Sequence, residues 1–177
     1  MTPPRPDDAA LQRLLDRDEI RQLAHRYAVA LDARDLDALV ELFVDDVQVG
    51  RDKHGRAALR ADFERQLRAI GVTLLFVGNH VIDFDGPDAA HGVVYCKAEI
   101  QEGDNWNHQA IQYHDSYARR DGRWRIVRRK HLLWYGQTQP RNPLDQPPAE
   151  WPRRSTGRGT LPEALESWQR FWSESGD

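Results

Sequence analysis

The segment "HRYAVALDARDLDALVELFVDD", residues 25–46, places a tyrosine and a carboxylate where they could handle protons. Ile20, Leu23, Ala24, Tyr27, Ala28 and Leu31 recur at helical spacing and form one apolar stripe. Tyr27 lies on that stripe. Asp32, four residues after Ala28, borders it. A carboxylate at the C-terminal end of a helix faces the negative pole of the macrodipole, at a cost of roughly 0.3–1 kcal/mol when exposed. Stability therefore gives no reason for an aspartate there. In an apolar pocket the same group would have its charged form disfavoured and its pKa raised, toward the range of a general base. The plainer alternatives are a solvated helix end for Asp32 and a core tyrosine with a wet hydroxyl for Tyr27.

Other residues with chemical potential are weaker. His108 and His114 share a strand face, but no carboxylate is placed with them, so no metal site is expected. Cys96, the lone cysteine, excludes an internal disulfide and CxxC metal sites, and between Val94 and Ala98 it reads as a packed side chain. Asp115 and Tyr117 share a face with Tyr113, where structural hydrogen bonding and function are equally open. "RWRIVRRKH" is basic, yet alternation splits it over two faces.

Three helices must position the first group. After the stripe above, Asp35 caps a second helix carrying Leu36, Leu39, Val40 and Phe43, and a third follows "KHG" with Leu59, Phe63, Leu67 and Ile70, stopped by Gly71. The texture then changes to four strands, "VTLLFVGNHVIDF", "AAHGVVYCKAEI", "WNHQAIQYHDSYARR" and "RWRIVRRKHLLWYG", separated by turns such as "DG" at 121–122. Helices followed by an antiparallel meander make the class α+β. Residues 1–8 read as disordered and 9–135 as the domain. Residues 136–177 form a Pro-rich, aromatic extension, with "TLPE" at 160–163 opening a short helix that bears Leu165, Trp168 and Trp172. The extension holds six of the ten prolines. It is too aromatic for a free tail and is expected to dock, either completing the outer surface or clasping a neighbouring subunit, or else closing the open end of the pocket as a cover.

The 177 residues allow one domain with a real core. A charged fraction of 30% with net charge −3 argues against nucleic acid as a partner. No apolar run spans a bilayer, and "MTPPRPDD" lacks a signal-peptide core, so a cytoplasmic protein without a membrane partner is expected.

The order of elements, with "DEIRQLAHRYAVALDARDLDALVELFVDD", "GNHVIDFDGPDAAHG" and "YHDSYARRDGRWRIVRR", resembles the SnoaL-like branch of the nuclear transport factor 2-like superfamily, from about Asp18 to Tyr135. The resemblance implies a cone-shaped α+β barrel: N-terminal helices packed on a curved, mainly antiparallel sheet that encloses a conical pocket. It also implies acid–base enzymes free of cofactor and metal. Their reactions would be dehydration, isomerisation or cyclisation of a small apolar carbonyl or polyketide-like substrate. A non-catalytic binding or assembly module and an epoxide-opening hydrolase are the alternatives in the same fold.

Carried over residue by residue, Asp32 would be the base and Tyr27 a hydrogen-bond donor, with Arg129 holding a developing negative charge. Tyr95 falls near a pocket histidine of the family. The family's catalytic histidine stands four residues before the asparagine of a "GN" segment. Asn79 is that asparagine here, so the matching position is Leu75. The dyad is then missing, or rebuilt from His80, His108 or His131. Strand alternation puts His80 on the opposite face from Leu75 unless a bulge intervenes. The expected catalytic set is Asp32, Tyr27, His80 and Arg129. Tyr95, Asn79, Leu75, His108 and His131 are the expected substrate contacts. A homodimer or larger oligomer is expected through the outer sheet face, with Val81, Phe84, Val93, Ile111 and Trp134 as candidates.

Overall fold

The computed structural model describes residues 8–174. The expected disorder at residues 1–7 lies outside these. Asp8, expected with them, instead opens the first helix, α1 (Asp8–Asp32). Its buried stripe includes Ile20, Leu23, Ala24, Tyr27, Ala28 and Leu31, the residues whose spacing marks it in the sequence. Arg34 then turns the chain in the left-handed region (φ 58°), and α2 (Leu36–Glu41) follows. Asp35 caps α2 by accepting a 3.0 Å bond from the Ala38 amide. Two short strands, β1 (Gln48–Val49) and β2 (Lys53–His54), lead into α3 (Arg56–Arg68).

Four long strands complete the sheet: β3 (Thr73–Phe84), β4 (Ala89–Glu102), β5 (Asn105–Arg120) and β6 (Arg123–Thr138). They pair antiparallel in chain order, so the sheet is an open meander that does not close on itself. The helices cover one face, and Ile20, Leu39, Trp124 and Ile126 form the fully buried centre between the layers. The architecture is the α+β cone expected from the sequence.

One irregularity positions the site. In β3, Val77 pairs with Cys96 but His80 pairs with Val94, so Gly78 and Asn79 together oppose Tyr95. This bulge resets the alternation. Leu75, Val77, His80, Ile82 and Phe84 therefore all turn toward the helices, opposite the buried Ala98, Cys96, Val94 and Ala90 and the side-chain-free Gly92. Gly92 is required there. A Cβ on it would come within 2.6 Å of the Val81 carbonyl oxygen and 3.3 Å of the His80 and Tyr117 rings.

The C-terminal extension runs mostly without regular structure to α4 (Glu166–Ser173). Residues 160–164 form turns, and the helix opens at Glu166 with Leu165 as its N-cap and no side-chain capping bond, so the "TLPE" start is corrected. Trp168 packs with Val72 and Trp106, Phe171 joins the main core, and the Ser167 hydroxyl donates to the Ala33 carbonyl at 2.8 Å. The extension thus docks on its own chain. No helix among the described residues is long and apolar enough to cross a membrane.

Candidate active site

Asp32 closes α1 against the first residues of β3. The Thr73 hydroxyl and the Leu75 amide each donate to its carboxylate at 2.8 Å. Burial pushes its pKa up to about 6; the bonds from Leu75 and Thr73 and the charge of Arg34 oppose that rise without cancelling it. Arg34 is itself buried. It donates to the Leu31 carbonyl at 2.8 Å, to the Thr73 hydroxyl at 2.9 Å and to the Gly71 carbonyl, and its guanidinium carbon lies 4.8 Å from the centre of a Trp168 ring. Among the described residues no histidine bonds to Asp32. Leu75 stands beside it instead, contributing a backbone amide and an apolar side chain.

A cavity of about 920 Å³ opens elsewhere, between α1, α3, the 44–54 loop and β6. Its apolar wall includes Tyr27, Phe43, Phe63 and Tyr113, and its polar residues include Arg129, His131 and His54. Arg129 is fixed at the base. Its Nε and Nη2 donate to the two oxygens of the buried Asp115 at 2.9 and 2.6 Å. Its guanidinium carbon lies 4.2 Å from the Tyr27 ring centre and 4.3 Å from that of Tyr113. Burial works against the Arg129 charge, but the hydrogen bonds and charge of Asp115 more than offset it, and the pKa stays above the ordinary value. Its third nitrogen, Nη1, is buried and has no hydrogen-bond partner among the described residues.

Behind Arg129 the chain of bonds continues. The Tyr117 hydroxyl donates to Asp115 at 2.8 Å, and His80 Nε2 meets that hydroxyl at 3.1 Å. Tyr117 has one proton to give, so His80 carries its hydrogen on Nε2 and donates it, leaving Nδ1 bare and buried, with no partner among the described residues. Burial lowers the His80 pKa to about 4, with Asp115 opposing, so the ring is neutral at pH 7. At the rim, His131 stacks edge-on to Tyr113 at 5.4 Å between ring centres. Burial first, and then the charge of Arg129, lower its pKa below the usual 6.5. Burial also raises the hydroxyl pKa values of Tyr27 and Tyr113.

The structure therefore brings Tyr27, Arg129 and His131 to one cavity. His80 lies behind it, and Asp32 and Leu75 lie outside its lining. Tyr95 and Asn79 are placed differently from the expectation. Both are on the outer, convex face, Tyr95 by alternation along β4 and Asn79 as the outward residue of the bulge, so neither reaches the cavity. His108 is also away from it, 3.5 Å from Glu99 near the start of the extension. Sequence reasoning left Asp115 and Tyr117 undecided. Their shared face with Tyr113 was legible, but their pairing with Arg129 depends on the strand register. Among the described residues no group of three or more His, Cys, Asp or Glu side chains could hold a metal ion.

An open antiparallel sheet wrapped over a long helix, with a polar-based cavity between them, defines the nuclear transport factor 2-like class. Within it, the SnoaL-like domain profile matches residues 12–130, and the chain belongs to that family. A nuclear transport factor 2-like protein with a cystatin-like fold from Novosphingobium aromaticivorans is 31% identical, over 71% of this chain and 86% of that one, with a TM-score of 0.60. A hexachlorocyclohexane dehydrochlorinase from Novosphingobium barchaimii shares the fold at 20% identity, over 73% and 94% of the two chains, with a TM-score of 0.66. No curated protein matches the chain.

Proposed function

We propose that the protein is a cofactor-independent acid–base enzyme that eliminates water from, or isomerises, a small β-oxygenated carbonyl compound bound in the cavity of about 920 Å³. The observation that carries this reading is the fixed guanidinium of Arg129 lining a cavity that also holds His131, a histidine whose pKa is lowered. A charged donor held in place beside an apolar wall is suited to an oxygen on which negative charge develops. In this reading the substrate carbonyl oxygen accepts from the Arg129 guanidinium. The His131 imidazole takes the proton from the α-carbon, and the enolate charge gathers on the oxygen held by Arg129. The electron pair then forms the carbon–carbon double bond as the β-hydroxyl leaves, taking the proton from the His131 imidazolium to depart as water. Tyr27 packs beside Arg129 and orients the ring or carbonyl. In this reading Asp32, which lies outside the cavity lining and accepts from Thr73 and Leu75, ties α1 to β3, and His131 takes its place as the base.

A rival reading is a non-catalytic binding module of the same fold, favoured by Leu75 beside Asp32 where the family places a histidine. β-Hydroxy ketones bearing an aromatic ring separate the two. Formation of the conjugated enone, followed by its ultraviolet absorbance, is expected from the wild type. His131→Gln should keep ligand affinity and lose at least about a hundredfold in turnover. Binding by the wild type with neither elimination nor deuterium exchange at the α-carbon would favour the module.

A further inference from the structure

The cavity does not end at its mouth. Val44, Asp46 and Arg120 line it and also line a second recess of about 440 Å³, whose remaining walls are Asp45, Arg56, Asp121, Arg123 and Arg125. The two spaces are therefore contiguous across those three residues. Their combined lining holds six arginines (Arg56, Arg120, Arg123, Arg125, Arg128 and Arg129) against three aspartates, in a chain whose net charge is −3. Two of the six are neutralised: Arg129 by Asp115, and Arg56 by Glu41 and Asp45 at 3.2 and 2.9 Å. The others are not. Among the described residues Arg120 and Arg125 donate only to backbone carbonyls of their neighbours, and Arg123 and Arg128 form no ion pair. Arginines grouped without carboxylate partners repel one another and offer forked donors to a planar or tetrahedral anion.

We propose that this recess is an anion subsite, and that the substrate is an elongated molecule with an apolar carbonyl-bearing end in the deep cavity and a carboxylate or phosphate group held by Arg120 and Arg123. The proposal rests on the reading of the cavity as the substrate site. It narrows the substrate class to carbonyl compounds that also carry an acidic group. Asp46 and Asp121 remain in the recess and limit its net positive charge, so the anion is recognised by bidentate geometry more than by a broad field. Selectivity then falls with added salt, since these groups are exposed.

Three probes sharing one apolar body test this: 6-(2-naphthyl)hexanoate, 6-(2-naphthyl)hexyl phosphate and the neutral 6-(2-naphthyl)hexanol, titrated by naphthyl fluorescence at low salt. Both anions, or one of them, should bind the wild type at least about tenfold more tightly than the alcohol. The better anion identifies the head group. Arg120→Gln with Arg123→Gln should erase that difference and leave the affinity for the alcohol unchanged. Both side chains are exposed and lack ion pairs, so the double variant keeps the fold. His131→Gln should retain the full anion preference, which separates this proposal from the catalytic reading. Equal affinity for all three probes, absence of binding by both anions, or a preference that survives the double variant would overturn it.

Discussion

Asp32→Asn is the most informative single change at the residue scale. The folded-state pKa of Asp32 is raised to about 6 by burial, above its ordinary 3.8. A raised carboxylate contributes stability that is fully present below the unfolded value and is lost as pH rises through the folded one. Asparagine has no such dependence. Its oxygen still accepts from Leu75, and its amide donates to the Thr73 hydroxyl. The melting temperature of the variant should therefore gain on the wild type between about pH 4 and pH 6.5 and then run parallel to it. A variant that loses ground over that interval would mean the carboxylate is stabilised by charge. Asp115 is tested through the ion pair it makes. Its side chain is fully buried against a guanidinium, so Asp115→Asn leaves Arg129 under-compensated at a cost of about 3–5 kcal/mol, measured by urea unfolding. Replacing both partners, Asp115→Leu with Arg129→Met, should recover much of that loss, because the desolvation cost leaves with the charges. His131 sets a third expectation. With its pKa below 6.5, turnover on a β-hydroxy ketone should fall only as pH drops below that value. That acid limb should vanish in His131→Gln.

At the scale of elements, α4 gives the sharpest test. Trp168 and Phe171 are 8% and 4% exposed, and Phe171 is in the main core, so α4 is part of the fold. Trp168→Ala with Phe171→Ala should lower stability by at least about 3 kcal/mol, read from denaturant midpoints. Removing everything after Gly136 should expose Val72 and Trp106 and give aggregation-prone protein. Because α4 is not in the cavity lining, the milder change of Trp168→Phe should leave substrate affinity alone. The elements themselves were legible: the stripe of α1, the Asp35 cap, the turns and the four strands each follow from local spacing. What was not legible is long-range. The bulge at Gly78–Asn79 has no local signature stronger than a glycine, yet it decides that His80 points inward. The register that sets Arg129 against Asp115 depends on further bulges between Ala110 and Ile111 and between Ser116 and Tyr117. Tyr95 needs no long-range information: alternation with the buried Val94 and Cys96 already puts it outside, against the expectation carried over from the family. The site is made by the sheet's register, and the sequence shows only its alternation.

At the scale of the molecule, the convex face is unlike an ordinary surface. Leu74, Phe76, Val81 and Trp134 are each more than half exposed there, with Tyr95 and Trp134 in ring contact at 6.2 Å. Two residues expected on this face are not on it. Phe84 packs edge-on to the buried Trp124, and Ile111 is buried on the concave side, both turned inward by the register. Apolar patches of this kind mark association surfaces. The protein is expected to be a homodimer or larger at micromolar concentration by light scattering, with Trp134→Arg and Phe76→Glu together shifting it to monomer without loss of secondary structure. A monomeric wild type would leave the patch without that role.

The bulge in β3 also divides the strand as a text is divided by an inserted letter. Before it, the protein's interior is spelled at odd positions, Thr73, Leu75 and Val77. After it, the interior is spelled at even ones, His80, Ile82 and Phe84. Among descendants of this gene, substitutions should therefore accumulate out of phase across residues 78 and 79. A saturation library scored for folded protein should show the same slip in tolerance. A deletion of either residue would leave one residue opposite Tyr95 and keep His80, Ile82 and Phe84 inside, whereas a deletion of Val81 would re-read the rest of β3 in the wrong frame, putting Asp83 inside and Ile82 and Phe84 in water. Deletions at 78 or 79 should therefore be tolerated by the strand's register and a deletion of Val81 almost absent from the lineage, although Val81 is itself exposed.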